Sequence, residues 1–216
     1  MQSDRMETDW AAEHLQTIRT LMERSAVYRR ALAPIMVWNG IVGVIGGVAG
    51  WKLTPASGVD FIVFWSVAAV LAIIGSFVLV RRQALKDSEP FWSPPTRRIA
   101  QALFPPLFIG GFLNCYAAYM ASVDHTDTPA LALIIFLCWL FLYGCAANAA
   151  AFFMTRGMKL FGWIFIVTSC ALMAVGANKN WPSNFSPHLL MAATFGGLHL
   201  LYGIYLYITE KRKNAA

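Results

Sequence analysis

Six long apolar runs limit what this chain can fold into, because about 20 mostly apolar residues suffice for a helix to cross a bilayer. Their bounds in the sequence are 34–53, 61–80, 99–121, 130–153, 160–176 and 188–208. Only 13% of the 216 residues are charged, whereas soluble domains carry about 25%. The runs therefore predict an all-α, polytopic membrane protein: a bundle of six transmembrane helices at 34–208, preceded by a cytoplasmic helix and followed by a short basic cytoplasmic tail at 209–216.

The basic residues lie on one side of this predicted membrane domain. All of the 17 Lys and Arg residues except Lys52 and Lys179 fall in the N-terminal segment, in the second or fourth connecting loop, or in the tail. Cytoplasmic loops are the ones rich in Lys and Arg, so both termini are expected in the cytoplasm. The net charge of +6 thus follows from topology. A nucleic-acid partner would need a soluble basic domain and is not expected.

Residues 1–33 have the pattern of an amphipathic helix on the cytoplasmic side. With about 100° per residue, Leu15, Ile18 and Met22 share a broad apolar face, while the polar face mixes Glu with Arg. A helix that anchors to anionic lipid is usually more uniformly basic. We therefore expect this helix to rest against the membrane or the bundle, and to offer the contact surface for a cytoplasmic protein partner.

Small residues in the first run indicate where helices approach closely. The sequence NGIVGVIGGVAG contains two overlapping GxxxG patterns, Gly43 with Gly47 and Gly46 with Gly50. Membrane helices associate through such residues because lipid is as apolar as leucine and provides no hydrophobic drive between helices. The patterns predict a tightly packed first helix inside the bundle, and a seam between copies in a homo-oligomer is the alternative.

Few polar residues remain inside the runs, and their central parts hold no Asp, Glu, Lys or Arg. Proton-coupled pumps and many ion transporters carry ionisable residues there, so this absence argues against those classes. The candidate intramembrane polar positions are Asn39, Asn114, Asn148 and His199.

His199 stands out among these positions because it lies in the middle of its run, in FGGLHLLYG. Gly196 precedes it by three residues and Gly203 follows it by four, so all three are expected on one helix face, against a neighbouring helix. The favoured role is an interhelical hydrogen bond to an Asn or a carbonyl oxygen. The alternative is a ligand or a proton-relay group.

No cofactor, metal site or catalytic residue is assigned from the sequence. For a haem with two axial histidines, His188 lies eleven residues from His199, about 16 Å along a helix, so one helix cannot supply both; a methionine partner for His199 is the alternative. The loop DHTD at 124–127 contains metal-ligand residue types but is more simply a turn before the next helix. The motifs HExxH, GxGxxG and GxSxG and the P-loop do not occur.

Four segments carry a resemblance to a known group of proteins: HLQTIRTLMERSAVYRRALAP, EPFWSPPTRRIAQALFPP, LYGCAANAAAFF and FGGLHLLYGIYLYITEK. They are similar to segments of a family of six-span bacterial inner-membrane proteins that has no established activity. The resemblance implies a multi-pass protein of the bacterial cytoplasmic membrane and brings no mechanism with it.

Three functions are compatible with these features. The first is a non-catalytic regulatory, sensory or accessory membrane protein, which suits the amphipathic N-terminal helix and the lack of a charged pathway. The second is a transporter or channel for a small neutral or weakly polar solute, which needs a midplane cavity reached by Asn114 and His199. The third is an intramembrane enzyme or redox protein that uses His199, and it is the least expected.

Overall fold

The fold was analysed in a computed structural model that describes residues 32–54, 57–86, 88, 90–124, 127–154, 156–177 and 186–214. In this part of the chain the regular elements are all helices, and six are long and apolar enough to span a membrane. The helices are α1 Leu32–Leu53, α2 Gly58–Lys86, α3 Pro94–Val123, α4 Pro129–Ala150, α5 Arg156–Ala177 and α6, which begins at Pro187 and ends at Asn214. The prediction of an all-α bundle with six spans is confirmed. The amphipathic helix predicted at 1–33 lies almost wholly outside the described residues.

The helix ends differ from the predicted span ends where charged residues begin. The helix α2 continues to Lys86, six residues beyond the predicted span, and α6 continues to Asn214 through most of the predicted tail. Charge ends the part of a helix that lipid can cover, but Arg, Lys and Gln are good helix formers and do not end the helix itself. Three helices begin with proline at the first position, where its missing N–H has no intrahelical partner to lose: α3, α4 and α6.

The helix α4 occupies the centre of the bundle, because it packs against α2, α3, α5 and α6. Its side chains Phe136 and Leu140 are fully buried, as are Phe61 of α2 and Phe165 of α5. The core is therefore built around α4. The outer faces of α2 and α3 carry exposed large apolar side chains, as expected of helices that face lipid.

A seam of small residues joins α1 to α6 along most of their length. It pairs Gly50 with His188, Gly47 with Ala192, Gly43 with Gly196, Gly40 with Leu200 and Val37 with Gly203. A Cβ atom built on Gly43 would lie 2.7 Å from both Cα and N of Gly196, so the two backbones touch there. Gly46 faces Trp65 of α2 instead, with a Cβ-to-ring distance of 3.6 Å, which is an ordinary contact. Gly43, Gly47 and Gly50 therefore all face α6 and require glycine for space, whereas Gly46 faces α2 and does not.

A second close approach joins α4 to α5. A Cβ atom on Gly162 would lie 2.7 Å from the backbone nitrogen of Asn148, and one on Gly144 would lie 2.9 Å from the carbonyl oxygen of Gly162. Asn148, one of the four polar candidates, therefore lies on the α4 surface where the two helix backbones meet.

Candidate functional site

His199 is buried between helices just after a π-helical segment, Ala192–Leu198, that interrupts α6. Its Nδ1 lies 2.6 Å from the carbonyl oxygen of Phe195, and its Nε2 lies 2.6 Å from the hydroxyl oxygen of Tyr143 on α4. A carbonyl oxygen only accepts, so Nδ1 carries the proton and donates. In the neutral ring Nε2 then accepts from the Tyr143 hydroxyl, and both ring nitrogens are satisfied.

Aromatic rings enclose this histidine. The ring centroid of His199 lies 5.0 Å from that of Phe161, 5.8 Å from Phe165, 5.2 Å from Tyr143 and 6.3 Å from Phe195. Only 2% of His199 is exposed. With both nitrogens bonded and every side occupied by rings, the imidazole has no open position for a metal, a haem or a substrate.

The flanking glycines contact a different neighbour from the one that His199 contacts. Gly196 and Gly203 pack against α1, at Val44 and Val37, whereas the His199 ring is directed toward α4 and α5. The sequence pattern had placed all three residues on one face. Residues three or four apart on a helix differ in direction by about 40–60°, so the glycines and the histidine can contact adjacent helices.

Other polar candidates are bonded across helix pairs. The indole N–H of Trp139 on α4 donates to Oδ1 of Asn114 on α3 at 2.9 Å, and Asn114 is buried. The Ser76 hydroxyl on α2 donates to Oδ1 of Asn39 on α1 at 3.1 Å. Each asparagine therefore joins its helix to a neighbour, and the two are not brought together in one site.

His188 makes a further interhelical contact near the other end of α6. The indole N–H of Trp65 on α2 donates to its Nδ1 at 3.1 Å, and the two rings stack with centroids 6.3 Å apart. The rings of Phe61 and Phe64 lie edge-on to the imidazole at 5.0 and 5.6 Å. Gly50 of α1 leaves room for the imidazole, since a Cβ atom there would collide with Nδ1. Three helices thus meet at this histidine.

The loop before α4 contains a cap for a different helix. The carboxylate of Asp127 accepts from the Ser57 hydroxyl at 2.6 Å and from the backbone N–H groups of Gly58 and Val59 at 2.7 and 3.1 Å. Asp127 therefore caps the N-terminus of α2. Within the described residues no group of three or more His, Cys, Asp or Glu side chains is placed to hold a metal; His125 lies outside them.

We predict that Asp127→Ala destabilises the protein at neutral pH but not in acid. The hydrogen bonds from Ser57 and from the Val59 and Gly58 N–H groups lower the pKa of the Asp127 carboxyl below its ordinary value, so its contribution is present at neutral pH and is lost as the pH falls through that lowered pKa. The thermal midpoint should drop by about 2–4 °C at pH 7. Asp124→Ala, an exposed aspartate of the same loop, is the matched control; a loss for Asp127→Ala that stayed constant as the pH falls well below the ordinary pKa of aspartate would contradict the cap.

An open cavity of about 320 Å³ lies at the start of α3, lined by Trp92, Pro94, Arg97, Arg98 and Gln101. It is at the end of the bundle where α2 ends in Arg81, Arg82 and Lys86. None of the polar candidates named from the sequence lines it. The sequence signal that could have found it is a pair of arginines, Arg97 and Arg98, one helical turn before Gln101. Trp92 precedes them in the sequence.

Comparison with known proteins gives no assignment: no protein-family model matches the chain, and no curated protein or solved structure is significantly similar to it. The resemblance drawn from the four sequence segments therefore stays a prediction. So does the partner surface at Leu15, Ile18 and Met22, which lies outside the described residues.

Proposed function

We propose that this protein is a non-catalytic regulatory or accessory protein of the bacterial cytoplasmic membrane, with both termini in the cytoplasm. The observation that supports this proposal is the use made of the intramembrane polar groups. In the described spans five hydrogen bonds of such groups link α1 to α2, α2 to α6, α3 to α4, α4 to α5 and α4 to α6. The α4–α5 link runs from the Ser169 hydroxyl to the carbonyl oxygen of Leu137. Polar groups used in this way stabilise helix contacts.

A transport pathway would use such groups differently. Transporters gather polar side chains and unwound backbone at a midplane site. Here Asn114 bonds to Trp139 and His199 bonds to Tyr143, so the two pairs join α4 to different helices, α3 and α6. This distribution favours a bundle that serves as a scaffold. We therefore expect the contact with a protein partner on the cytoplasmic side, where the N-terminal segment and most basic residues are expected.

Photo-crosslinking in cells tests the partner contact directly. We expect crosslinkers at Leu15, Ile18 and Met22, on the predicted apolar face, to form one discrete protein adduct. The matched controls Gln16 and Glu23, on the polar face of the same segment, should not form it. Equal labelling of both faces, or no protein adduct from any position, would contradict the proposal.

A flux measurement tests the transport alternative. We expect proteoliposomes of the full chain to equilibrate glycerol and urea at the rate of protein-free vesicles. The reason is that Asn114 and His199 are each hydrogen-bonded to an aromatic side chain of α4. A glycerol channel in the same lipid provides the positive control. Protein-dependent flux that is lost in His199→Leu would overturn the proposal in favour of transport.

A further inference from the structure

The cavity at the start of α3 combines basic and aromatic side chains on one outward face. One face of α3 carries four of the lining residues at helical spacing: Pro94, Arg97, Arg98 and Gln101. Trp92, in the connector before α3, also lines the cavity. Ile99, between the arginines and the glutamine, is buried in the bundle, so the cavity residues are directed away from the core.

The charges in this cavity are not neutralised by any described neighbour. Among the described residues no ion pair involves Arg97 or Arg98, and no carboxylate lines the cavity. The connector's two acidic residues, Asp87 and Glu89, are not among those residues. The cavity therefore suits an anion.

The depth of the cavity follows from the aromatic residues of the connector. The ring of Phe91 packs edge-on against Phe77 of α2 with centroids 4.8 Å apart, and Trp92 stacks on Phe91 at 6.2 Å. Phe77 is exposed and lies in the apolar part of α2, one turn before Arg81. Phe91 thus reaches the apolar part of the span, and Trp92, which stacks on it, lines the cavity together with the arginines. This is the boundary where tryptophan rings and lipid headgroups meet.

We propose that this cavity binds the phosphate of an anionic phospholipid, such as phosphatidylglycerol, from the surrounding leaflet. Arg97 and Arg98 donate to the phosphate oxygens, since guanidinium groups match phosphate geometry. Gln101 reaches the headgroup hydroxyls, and Trp92 covers the glycerol backbone. A volume of about 320 Å³ is at the small end of ligand pockets, which suits a headgroup whose acyl chains stay in the bilayer.

The proposal rests on the proposed function only in assigning the cavity to the cytoplasmic leaflet. The lipid-binding test does not depend on the membrane orientation, on a protein partner or on solute flux. A negative lipid-binding result would therefore not affect the crosslinking and flux results, and negative results there would not affect lipid binding.

Lipid retention by the purified full chain tests the site. Delipidated protein in neutral detergent is titrated with phosphatidylglycerol or with phosphatidylcholine of the same acyl chains, and bound lipid is counted by native mass spectrometry. We expect phosphatidylglycerol to bind more tightly, and Arg97→Gln with Arg98→Gln to weaken it by about tenfold or more. Arg81→Gln with Arg82→Gln removes the same charge from the end of α2, outside the cavity, and should change binding by less than about twofold.

Four outcomes would count against the site. Equal losses from the two double variants would show that only general surface charge attracts the lipid. Equal binding of the two lipids would remove the anionic selectivity. Glycerol phosphate without acyl chains that bound as tightly as phosphatidylglycerol would assign the cavity to a soluble anion. Asp87→Asn with Glu89→Gln should leave binding unchanged or strengthen it, and a loss of binding there would also count against the arginines as the phosphate ligands. Arg97→Lys with Arg98→Lys keeps the charge. Comparing it with the Gln variant shows whether a loss of lipid binding comes from the lost guanidinium groups or from misfolding.

Discussion

Gly43→Ala is expected to destabilise the folded bundle by about 2 kcal/mol, within the range of about 1–3 kcal/mol seen when a packed interface is overfilled. The added Cβ would lie 2.7 Å from the backbone Cα and N of Gly196, and a backbone cannot move aside as a flexible side chain can. The α1–α6 seam would have to open along its length. Unfolding in mixed detergent and denaturant micelles, followed by circular dichroism, measures the loss.

The overlapping GxxxG pattern provides a matched control on the same helix. Gly46→Ala places its Cβ 3.6 Å from the Trp65 ring, an ordinary contact, so stability should stay the same or rise by up to about 1 kcal/mol because alanine is the better helix former. Gly111→Ala on α3, with no atom within 4 Å of the added Cβ, should behave in the same way. Equal effects at Gly43 and Gly46 would contradict the seam.

Gly196→Ala approaches the same contact from the other side. Its Cβ would lie 2.6 Å from the backbone nitrogen of Val44, so a comparable loss is expected. If the glycines instead formed a seam between two copies of the chain, the losses would accompany a change in oligomeric state. Size-exclusion chromatography with light scattering separates the two cases: we expect the mass of the folded fraction to stay that of the wild type.

The sequence predicted those features of the fold that the lipid bilayer imposes. Lipid demands long apolar helices and penalises charge, so span number is visible in single runs of residues. The close approach of α1 was visible as well, because a helix surface without side chains has few other uses in a membrane. Its partner was not visible: nothing in NGIVGVIGGVAG indicates that Gly43 meets α6 while Gly46 meets α2.

For a related reason the sequence predicted one residue of each polar contact but not its partner. A buried polar group must find a partner, so an interhelical hydrogen bond could be predicted for His199 and a buried polar position for Asn114. The partners are Tyr143 and Trp139, amphipathic rings that also occur as ordinary lipid-facing or core residues. The π segment before His199 was invisible because AATFGGL fits an α-helix equally well.

The second large effect is expected at the Tyr143–His199 bond. Tyr143→Phe leaves Nε2 of His199 as an acceptor without a donor inside an aromatic enclosure, and His199→Leu leaves the Tyr143 hydroxyl without its acceptor. Each single variant should lose about 1–2 kcal/mol of unfolding free energy. The double variant removes both polar groups, so it should lose less than the two losses added together, by about 1 kcal/mol. Tyr116→Phe, on an exposed tyrosine of α3, is the control and should change stability by less than about 0.5 kcal/mol.

The double-variant comparison also tests what His199 is for. A histidine that binds a ligand or relays protons needs a nitrogen that is free for part of the time, whereas a histidine committed to Tyr143 and Phe195 has none. Losses that simply add would mean that the hydroxyl and the imidazole act independently, and they would return His199 to the ligand or proton-relay role. A clear coupling energy, with no change in glycerol or urea flux in either single variant, would assign both residues to holding α6 against α4.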